Sequence, residues 1–466
     1  MSVNASASRP PVKSPFSIRN VRLFIAFRVF FNARFYYPVF AILFLDFGLT
    51  LEQFALLNAA WAASIVLLEV PSGALADTIG RRKLLVVAGI LMVIEMALLC
   101  FVPLGNASLL FAVFIVNRIL SGVAEAAASG ADEAIAYDSL KKEGDAGDWP
   151  RVLEKQMRMQ SMAYIGAMSL GAAVYDPSLM QRLMNLMGLD VNLTQDITLR
   201  FPLYLTFIMA LMTLLVTLSI EEDESPPASE CQPTDNCTPT IWQAFKLTLQ
   251  AGGWILKTPF ALVIILSGLM FDNCLRMVGT LNSQYYRLID LPEASFGLIG
   301  SAMAVLGLII PWLAYKMVNR HTPAYNMSVM TAVSILGLIG MTFFFPIIGL
   351  LPMALLVVVM YLGRFFQSHY LNRITASHQR ATVLSFKGLS FNLAYGIIGV
   401  LYALLLATLR HRVADSHADL SGIVLENTVF MESMNWFPWY FLVTLAVLLV
   451  IARWQLKNTD VHKKTG

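Results

Sequence analysis

Long runs of apolar residues separated by short polar segments recur along the whole chain. Many of these runs reach the ~20 residues that a helix needs to cross ~30 Å of hydrocarbon. The alternating ten-residue segments of a membrane β-barrel do not occur in the sequence, so we predict that the spans are helical. The predicted spans cover residues 21–46, 51–76, 82–104, 107–138, 158–176, 200–219, 258–287, 293–317, 324–346, 350–372, 381–409 and 434–455.

The composition also favours a membrane protein. Of the 466 residues, 57% are hydrophobic and 14% are charged, whereas soluble domains contain about 25% charged residues. A soluble fold with this composition would expose large apolar patches, which a bilayer accepts without cost. The first twenty residues are polar and basic and lack the apolar core of a cleaved signal peptide. We therefore expect the first span itself to direct insertion.

A long polar segment separates the sixth and seventh predicted spans. Its first part is acidic and rich in proline and serine, which is typical of a disordered linker, and residues 241–257 have the pattern of an amphipathic interfacial helix. Six spans on each side predict an all-α membrane protein with twelve transmembrane helices in two pseudo-symmetric six-helix halves. The expected division is a cytoplasmic tail at 1–20, a first half at 21–219, a cytoplasmic linker at 220–257, a second half at 258–455 and a cytoplasmic tail at 456–466.

The distribution of basic residues predicts the orientation. With a cytoplasmic N-terminus, most of the 33 Lys and Arg residues fall in inner loops and tails, as the positive-inside rule requires. An even number of spans then places both termini in the cytoplasm, and the expected location is the bacterial inner membrane. The outer loops would carry Arg182, Arg200, Arg287, Arg410 and Arg412.

Between the second and third spans, five positions stand at a characteristic spacing: Gly73, Asp77, Gly80, Arg81 and Arg82. This segment resembles the signature loop of the major facilitator superfamily, G-x-x-x-D-x-x-G-R-R/K. Gly73 would let two helices approach closely, and Gly80 would allow a tight turn. Asp77 would accept hydrogen bonds from a helix N-terminus or pair with an arginine, and such a contact would hold one conformation.

Other segments extend the resemblance over essentially the whole chain. In the fourth span, Arg118 and Gly122 are similar to the family's R-x-x-x-G motif, whose arginine is tied to proton exchange in proton-coupled members. One departure lies in the fifth span, where residues 166–171 lack the glycine-proline pair of the family's drug–proton antiporters. The resemblance implies a secondary active transporter that works by alternating access.

Ionisable side chains inside the spans are costly and therefore need partners or water. Counting ~1.5 Å per residue along each span places Arg34, Glu125 and Asp272 near the middle of the membrane. In the resembled family, spans one, four and seven line the central cavity, so we predict that these three residues form an arginine–carboxylate cluster. Arg28 and Glu69 lie at similar depth on adjacent spans and are a candidate gate pair. For Glu95 the sequence suggests no partner at its depth.

Periodicity supports the cluster. Arg118, Glu125 and Asp132 fall on one face of the fourth span, which must face the cavity rather than lipid. Asp272 and Arg276 are four residues apart and can pair within their helix. The candidate substrate or proton-coupling residues are Asn32, Arg34, Arg118, Glu125, Asp132, Asp272, Arg276, Arg364, Gln367 and Lys387.

Two interpretations of these charges remain open from sequence. Glu125 or Asp272 would bind the coupling proton while arginines receive substrate, because burial raises the proton affinity of a carboxylate and a nearby arginine lowers it. Alternatively, the charges form permanent structural ion pairs. The basic excess of the second half, with Arg276, Arg364 and Lys387 against Asp272, points to an anionic or zwitterionic substrate.

Other functions have weaker support. No nucleotide-binding G-x-x-x-x-G-K-S/T motif occurs, and neither does H-E-x-x-H or G-x-S-x-G, so a pump or a membrane-embedded enzyme is disfavoured. We expect no metal, no cofactor and no nucleic-acid partner, and a monomer in the bilayer. The sequence favours a proton-coupled secondary active transporter of a small organic solute that works by alternating access. Export of drug-like or secreted compounds is the first hypothesis, and uptake of an anionic or zwitterionic metabolite or siderophore is the second. A transporter-like sensor is the rival from another class.

Overall fold

The structure is a computed structural model that describes residues 14–189, 191–221, 241–374, 377–416 and 420–464. All regular secondary structure in these residues is helical. The first half contains α1 (Arg19–Asn32), α2 (Phe40–Asp46), α3 (Leu51–Ile79), α4 (Arg81–Phe101), α5 (Ala107–Ala128), α6 (Ala131–Glu143), α7 (Trp149–Tyr175), α8 (Pro177–Leu186), α9 (Gln195–Thr198) and α10 (Phe201–Ser219). The second half contains α12 (Pro259–Thr280), α13 (Asn282–Leu288), α14 (Phe296–Arg320), α15 (Pro323–Met341), α16 (Leu350–Ile374), α17 (Ser377–Ser416), α18 (Gly422–Met434) and α19 (Trp436–Lys464).

The segment between the halves is only partly described. Helix α11 (Ile241–Lys257) occupies the stretch for which we predicted a helix, and it packs against α3, α12 and α17. The acidic linker at 222–240 lies outside the described residues, so its predicted disorder stays a prediction.

Eleven helical segments of the described chain are long and apolar enough to cross a membrane. The predicted fifth span belongs to α7, which is not among the eleven. Its first ten residues include Arg151, Glu154, Lys155 and Arg158, so only the remainder, 159–175, is free of charge. Those residues cover ~25 Å as a helix, somewhat less than the ~30 Å hydrocarbon core.

Three predicted spans are interrupted rather than continuous. The first is broken between α1 and α2, the fourth between α5 and α6 at Gly130, and the seventh between α12 and α13 at Leu281. Pro38 explains the first break, because proline lacks an amide hydrogen and its ring would clash with the carbonyl four residues earlier. Inside the break, the Phe35 amide donates to Thr206 Oγ1 at 3.0 Å. Such replacement partners are what an irregular backbone inside a membrane requires.

We name the two ends of the bundle by the loops they carry. The terminal face carries residues 79–81, 144–148 and 321–322, and the distal face carries residues 47–50, 102–106 and 342–349. The halves pack together mainly through α3 against α17 and α7 against α14. The largest buried apolar cluster runs through both halves.

Close packing around α7, against the first span and against the second half, depends on one glycine in α7 and one in α14. A Cβ added at Gly171 would lie 1.8 Å from the Phe35 carbonyl oxygen, and one added at Gly297 would lie 2.1 Å from the Met168 carbonyl oxygen. Any side chain at either position would therefore force backbone apart. Helix α7 is held in this way between the break in the first span and the second half.

Candidate functional site

The first feature of the site is an ion-pair cluster that joins the halves at the distal face. Arg287, in α13, donates to both carboxylate oxygens of Asp46, at the end of α2, with distances of 2.8 and 2.7 Å. The same guanidinium donates to Glu293 at 2.9 and 2.6 Å. Asp46 also accepts from the Tyr175 hydroxyl. We call Asp46, Arg287 and Glu293 the first distal cluster.

A second cluster with the same chemistry lies between α3 and α17. Arg410 donates to the two carboxylate oxygens of Glu52 at 2.6 and 2.8 Å, and it also pairs with Glu426 of α18. The Leu51 amide, at the start of α3, donates to Glu426 at 3.3 Å. Glu52, Arg410 and Glu426 form the second distal cluster. Bidentate arginine–carboxylate contacts are the strong members of their class, so both clusters hold the distal ends of the two halves together.

Sequence reasoning did not find the distal clusters. Arg287 and Arg410 were recognised only as basic residues of outer loops, and their partners in the other half are 241 and 358 positions away in sequence. No periodic pattern connects positions so far apart. The available signal was weaker: a charged residue at the end of an apolar span, which is common and does not identify its partner.

The second feature is a cavity of about 280 Å³ in the second half, between α12, α16 and α17. All five predicted second-half candidates line it: Asp272, Arg276, Arg364, Gln367 and Lys387. Asn392 and a set of apolar residues complete the wall. The structure thus brings together side chains that the sequence placed on three different spans.

Three cationic side chains and one carboxylate surround this cavity. The predicted pairing within α12 is confirmed, because Arg276 lies 3.0 Å from Asp272. Arg276 also donates to Asn392 at 3.2 Å and stacks on the Tyr395 ring, 4.9 Å from its centroid. In the described part of the chain, Arg364 and Lys387 have no ion-pair partner within 4 Å. The cavity therefore carries unbalanced positive charge.

The first-half candidates have other contacts than predicted. Arg34 pairs with Glu95 at 2.5 Å, and the two side chains are only 4% and 1% exposed. The prediction that Glu95 lacks a partner is wrong. The break in the first span turns Arg34 out of the helical register that we had assumed, toward α4. The expected direct cluster of Arg34 with Asp272 is not formed, because Asp272 pairs within the second half.

Glu125 and Arg118 differ in their environment although both lie on α5. Arg118 is buried, donates to Asn58 at 3.2 Å and stacks on Trp61. The Glu125 side chain is accessible, yet it lies within electrostatic range of Arg34, Glu95, Arg28 and Asp132. It therefore lies on the side of α5 that faces other helices of the first half. The Asn32 side chain donates from Nδ2 to the Arg28 carbonyl of its own helix at 2.7 Å.

The predicted gate pair of Arg28 and Glu69 is not formed. Arg28 instead pairs with Asp132 and Glu133 at the start of α6, with contacts of 3.1 and 2.9 Å. The glycine break before α6 places these carboxylates beside α1. Glu69 lies on the other side of the bundle, where it faces Asn392 and Gly388 of α17. Glu69 thus contacts the wall of the second-half cavity.

The family model described as Major Facilitator Superfamily matches residues 22–368. The chain belongs to the major facilitator superfamily. The twelve-helix fold predicted from the sequence is thereby confirmed, and the chain is an integral, multi-pass membrane transporter rather than an enzyme. Among curated proteins, no sequence matches the chain.

Solved structures of the superfamily share the fold at low sequence identity. A bacterial homologue of the human lysosomal transporter Spinster, in an inward-facing and unoccupied conformation, is 15% identical, with a TM-score of 0.70 over 96% of this chain and 99% of that one. The nucleoside transporter NupG is 14% identical, with a TM-score of 0.66 over 93% and 98%. A D-xylose–proton symporter is 15% identical, with a TM-score of 0.58 over 91% and 97%. At these identities the similarity establishes the fold only.

The superfamily signature loop forms the predicted turn between α3 and α4. Gly80 has φ of 98°, in the left-handed region that favours glycine. Arg81 donates to Asp138 of α6 at 2.6 Å, and Arg82 donates to the Leu218 carbonyl at 3.2 Å. These contacts join the loop to other helices of the first half. The side chains at positions 73 and 77 lie outside what the structure describes, so the predicted role of that aspartate stays a prediction.

Proposed function

We propose that this major facilitator is a secondary active transporter of an anionic or zwitterionic small organic solute. The observation that carries the proposal is the second-half cavity, where three cationic side chains meet one carboxylate. Arginine and lysine offer several donors to a carboxylate or phosphate. Inside a low-dielectric bundle, such an excess of positive charge is costly unless an anion or water balances it. Flux by alternating access would carry this anion between the two faces.

The distal clusters indicate that this conformation is closed at the distal face. They bond the halves at the distal face, while Glu125 and Arg364 stay accessible in the interior. Access to the cavity then comes from the terminal face. With both termini in the cytoplasm, as the distribution of basic residues indicates, this is the inward-open state of the cycle. Either uptake or export passes through this state, so the direction of net transport depends on the gradients.

Removing the two unpaired cations of the cavity tests the proposed substrate class. In the variant Arg364→Gln/Lys387→Gln, we expect the dissociation constant of an anionic ligand to rise by about 10- to 100-fold for each cation removed, since a contact to a charged group contributes about 1.5–3 kcal/mol net of its exchange with water. Thermal-shift and calorimetric titration of purified protein would compare matched anionic, zwitterionic, neutral and cationic compounds. Binding that is strongest for cationic compounds would contradict the proposal.

A matched control exists on the outside of the bundle. Lys316 lies over the Trp312 ring at 3.5 Å, remote from the cavity lining. Lys316→Gln removes one positive charge from the same half and should leave ligand affinity unchanged. Equal weakening by both variants would indicate a general electrostatic effect instead of a binding site.

We further propose that transport is coupled to protons through Glu125. This carboxylate faces the interior and is surrounded by two arginines and two other carboxylates. Protonation of Glu125 would change the net charge of these five side chains without any movement of helices. A change in the position of Arg34 would in turn alter the proton affinity of Glu125. The cavity in the second half would then bind the solute while the first half binds the proton.

Replacement of Glu125 by glutamine separates coupling from solute binding. Glutamine has a similar shape and cannot release a proton, so proton-driven accumulation in proteoliposomes should fall to background. Exchange of labelled for unlabelled solute across the same vesicles should continue. Glu432→Gln, in α18 of the second half, provides the control and should retain both activities. A Glu125→Gln protein that accumulates solute with the original pH dependence would exclude this residue as the coupling site.

A further inference from the structure

A second cavity lies on the flank of the first half, away from the site described above. It has a volume of about 710 Å³ and lies between α1 and α7 near the terminal face. We call it the lateral groove. Apolar side chains form its floor: Phe16, Ile25, Ala26, Val29, Phe30 and Met159. Charged side chains form its rim: Arg22, Arg151, Glu154, Lys155 and Arg158.

The lateral groove opens toward the bilayer and not toward the transport cavity. On α7, Tyr164 lies within electrostatic range of Tyr37 and of Tyr361 in the second half, so this face of the helix points between the halves. Lys155 is nine residues earlier, which at about 100° per residue places it on the opposite face. The rim of the groove is therefore on the outer surface of the protein.

The depth of the groove matches the headgroup region of a membrane. Helix α7 has 27 residues and is thus ~40 Å long, whereas the hydrocarbon core is ~30 Å thick. The surplus of ~10 Å corresponds to the first turns of the helix, which carry Arg151 and Lys155. Arg158 follows within one turn, and its long side chain can extend toward the interface.

The charge on the rim is largely uncompensated. Arg151 pairs with Asp148 at 2.9 Å. Arg22, Lys155 and Arg158 have no ion-pair partner in the residues that the structure describes. Glu154 is the one carboxylate among the described lining residues. The groove thus combines an apolar floor with a positively charged rim at the level of lipid headgroups.

We propose that the lateral groove binds an acidic phospholipid of the leaflet at the terminal face. The lipid phosphate and its net negative charge would lie at Arg22, Lys155 and Arg158, and an acyl chain would cover the apolar floor. Juxtamembrane lysine and arginine residues attract acidic lipids in this manner. A zwitterionic lipid would cover the apolar floor but would not neutralise the positive charge of the rim. A soluble phosphate would neutralise that charge but would leave the apolar floor uncovered.

Native mass spectrometry of the purified full chain can test the site with defined lipids. Phosphatidylglycerol should bind more tightly than phosphatidylcholine. In the variant Arg22→Gln/Lys155→Gln/Arg158→Gln, the dissociation constant of the first bound phosphatidylglycerol should rise about 100-fold, or about fivefold for each charge removed. Affinity for phosphatidylcholine should not change. The control is Lys316→Gln/Arg320→Gln/Arg373→Gln, which removes the same charge from the terminal side of the second half and should retain the wild-type preference.

A further variant tests the groove without removing any cation. Glu154→Gln deletes the negative charge on the rim and should tighten phosphatidylglycerol binding about fivefold. The proposal is overturned if the triple variant binds phosphatidylglycerol like the wild type, or if the wild type does not distinguish the two lipids. It is also overturned if glycerol 3-phosphate displaces the lipid at equal concentration, since the site would then recognise a soluble anion.

Discussion

Replacing Arg287 with glutamine should shift the transporter toward a state that is open at the distal face, by a factor on the order of 100. The arginine holds Asp46 from the first half and Glu293 from the second, and these side chains are 20%, 9% and 19% exposed. Breaking a buried ion pair costs about 3–5 kcal/mol, and partial exposure reduces this to about 2–3 kcal/mol. At 1.4 kcal/mol per tenfold change, the population ratio moves by about two orders of magnitude.

Distances across the distal face provide the measurement. Spin labels at Leu186 of α8 and Ile348 of the loop before α16 would report the separation of the halves, since both positions are exposed. We expect a longer distance to become dominant in Arg287→Gln. Arg182→Gln removes an exposed arginine from the same face and should preserve the wild-type distribution. An unchanged distribution in Arg287→Gln would mean that the first distal cluster does not hold the closed state.

The second large effect concerns the buried pair of Arg34 and Glu95. Replacing Arg34 with methionine leaves the Glu95 carboxylate uncompensated at 1% exposure. We expect a loss of about 3–5 kcal/mol in folding free energy. In practice the melting temperature and the yield of purified protein should fall sharply. Glu95→Gln should also destabilise the protein, because it leaves the Arg34 guanidinium, 4% exposed, without a counterion, although the amide oxygen can still accept a hydrogen bond from Arg34.

The double variant Arg34→Met/Glu95→Met distinguishes a structural pair from a functional one. Two apolar side chains of similar volume remove both charges, so the melting temperature should recover most of the loss. If the pair also sets the proton affinity of Glu125, the double variant should be stable but have an altered pH dependence of transport. A double variant that is as unstable as Arg34→Met would show that the uncompensated charge on Glu95 is not the cause of the instability.

Hydrophobic patterning was sufficient to predict the fold, because each apolar run in a membrane must be a helix. Helical periodicity was also sufficient to predict that Asp272 can pair with Arg276. Arg364 and Lys387 were grouped with this pair only as the charged residues expected around the second-half cavity, and the sequence did not indicate their distances from it. The signature motif then identified the family before any contact was known.

The first-half contacts could not be predicted in the same way, for a physical reason. Depth and direction were estimated along unbroken helices, but the chain leaves the helix after Asn32 and after Ala128. Beyond such a break, the direction of a side chain no longer follows from its position in the sequence. The partners of Arg34 and Arg28 were therefore assigned incorrectly. Pro38 and Gly130 were the available signals for the two breaks.

The composition of the distal clusters has a consequence for how the halves separate. Each arginine has one carboxylate partner in its own half and one in the other: Arg287 has Glu293 and Asp46, and Arg410 has Glu426 and Glu52. When the halves part, neither guanidinium is stranded, because each keeps its companion from the second half. Only the two carboxylates of the first half lose a counterion. These two carboxylates lie at the distal face, where water can hydrate them as soon as the halves part. The barrier to opening is therefore lower than the number of broken contacts suggests.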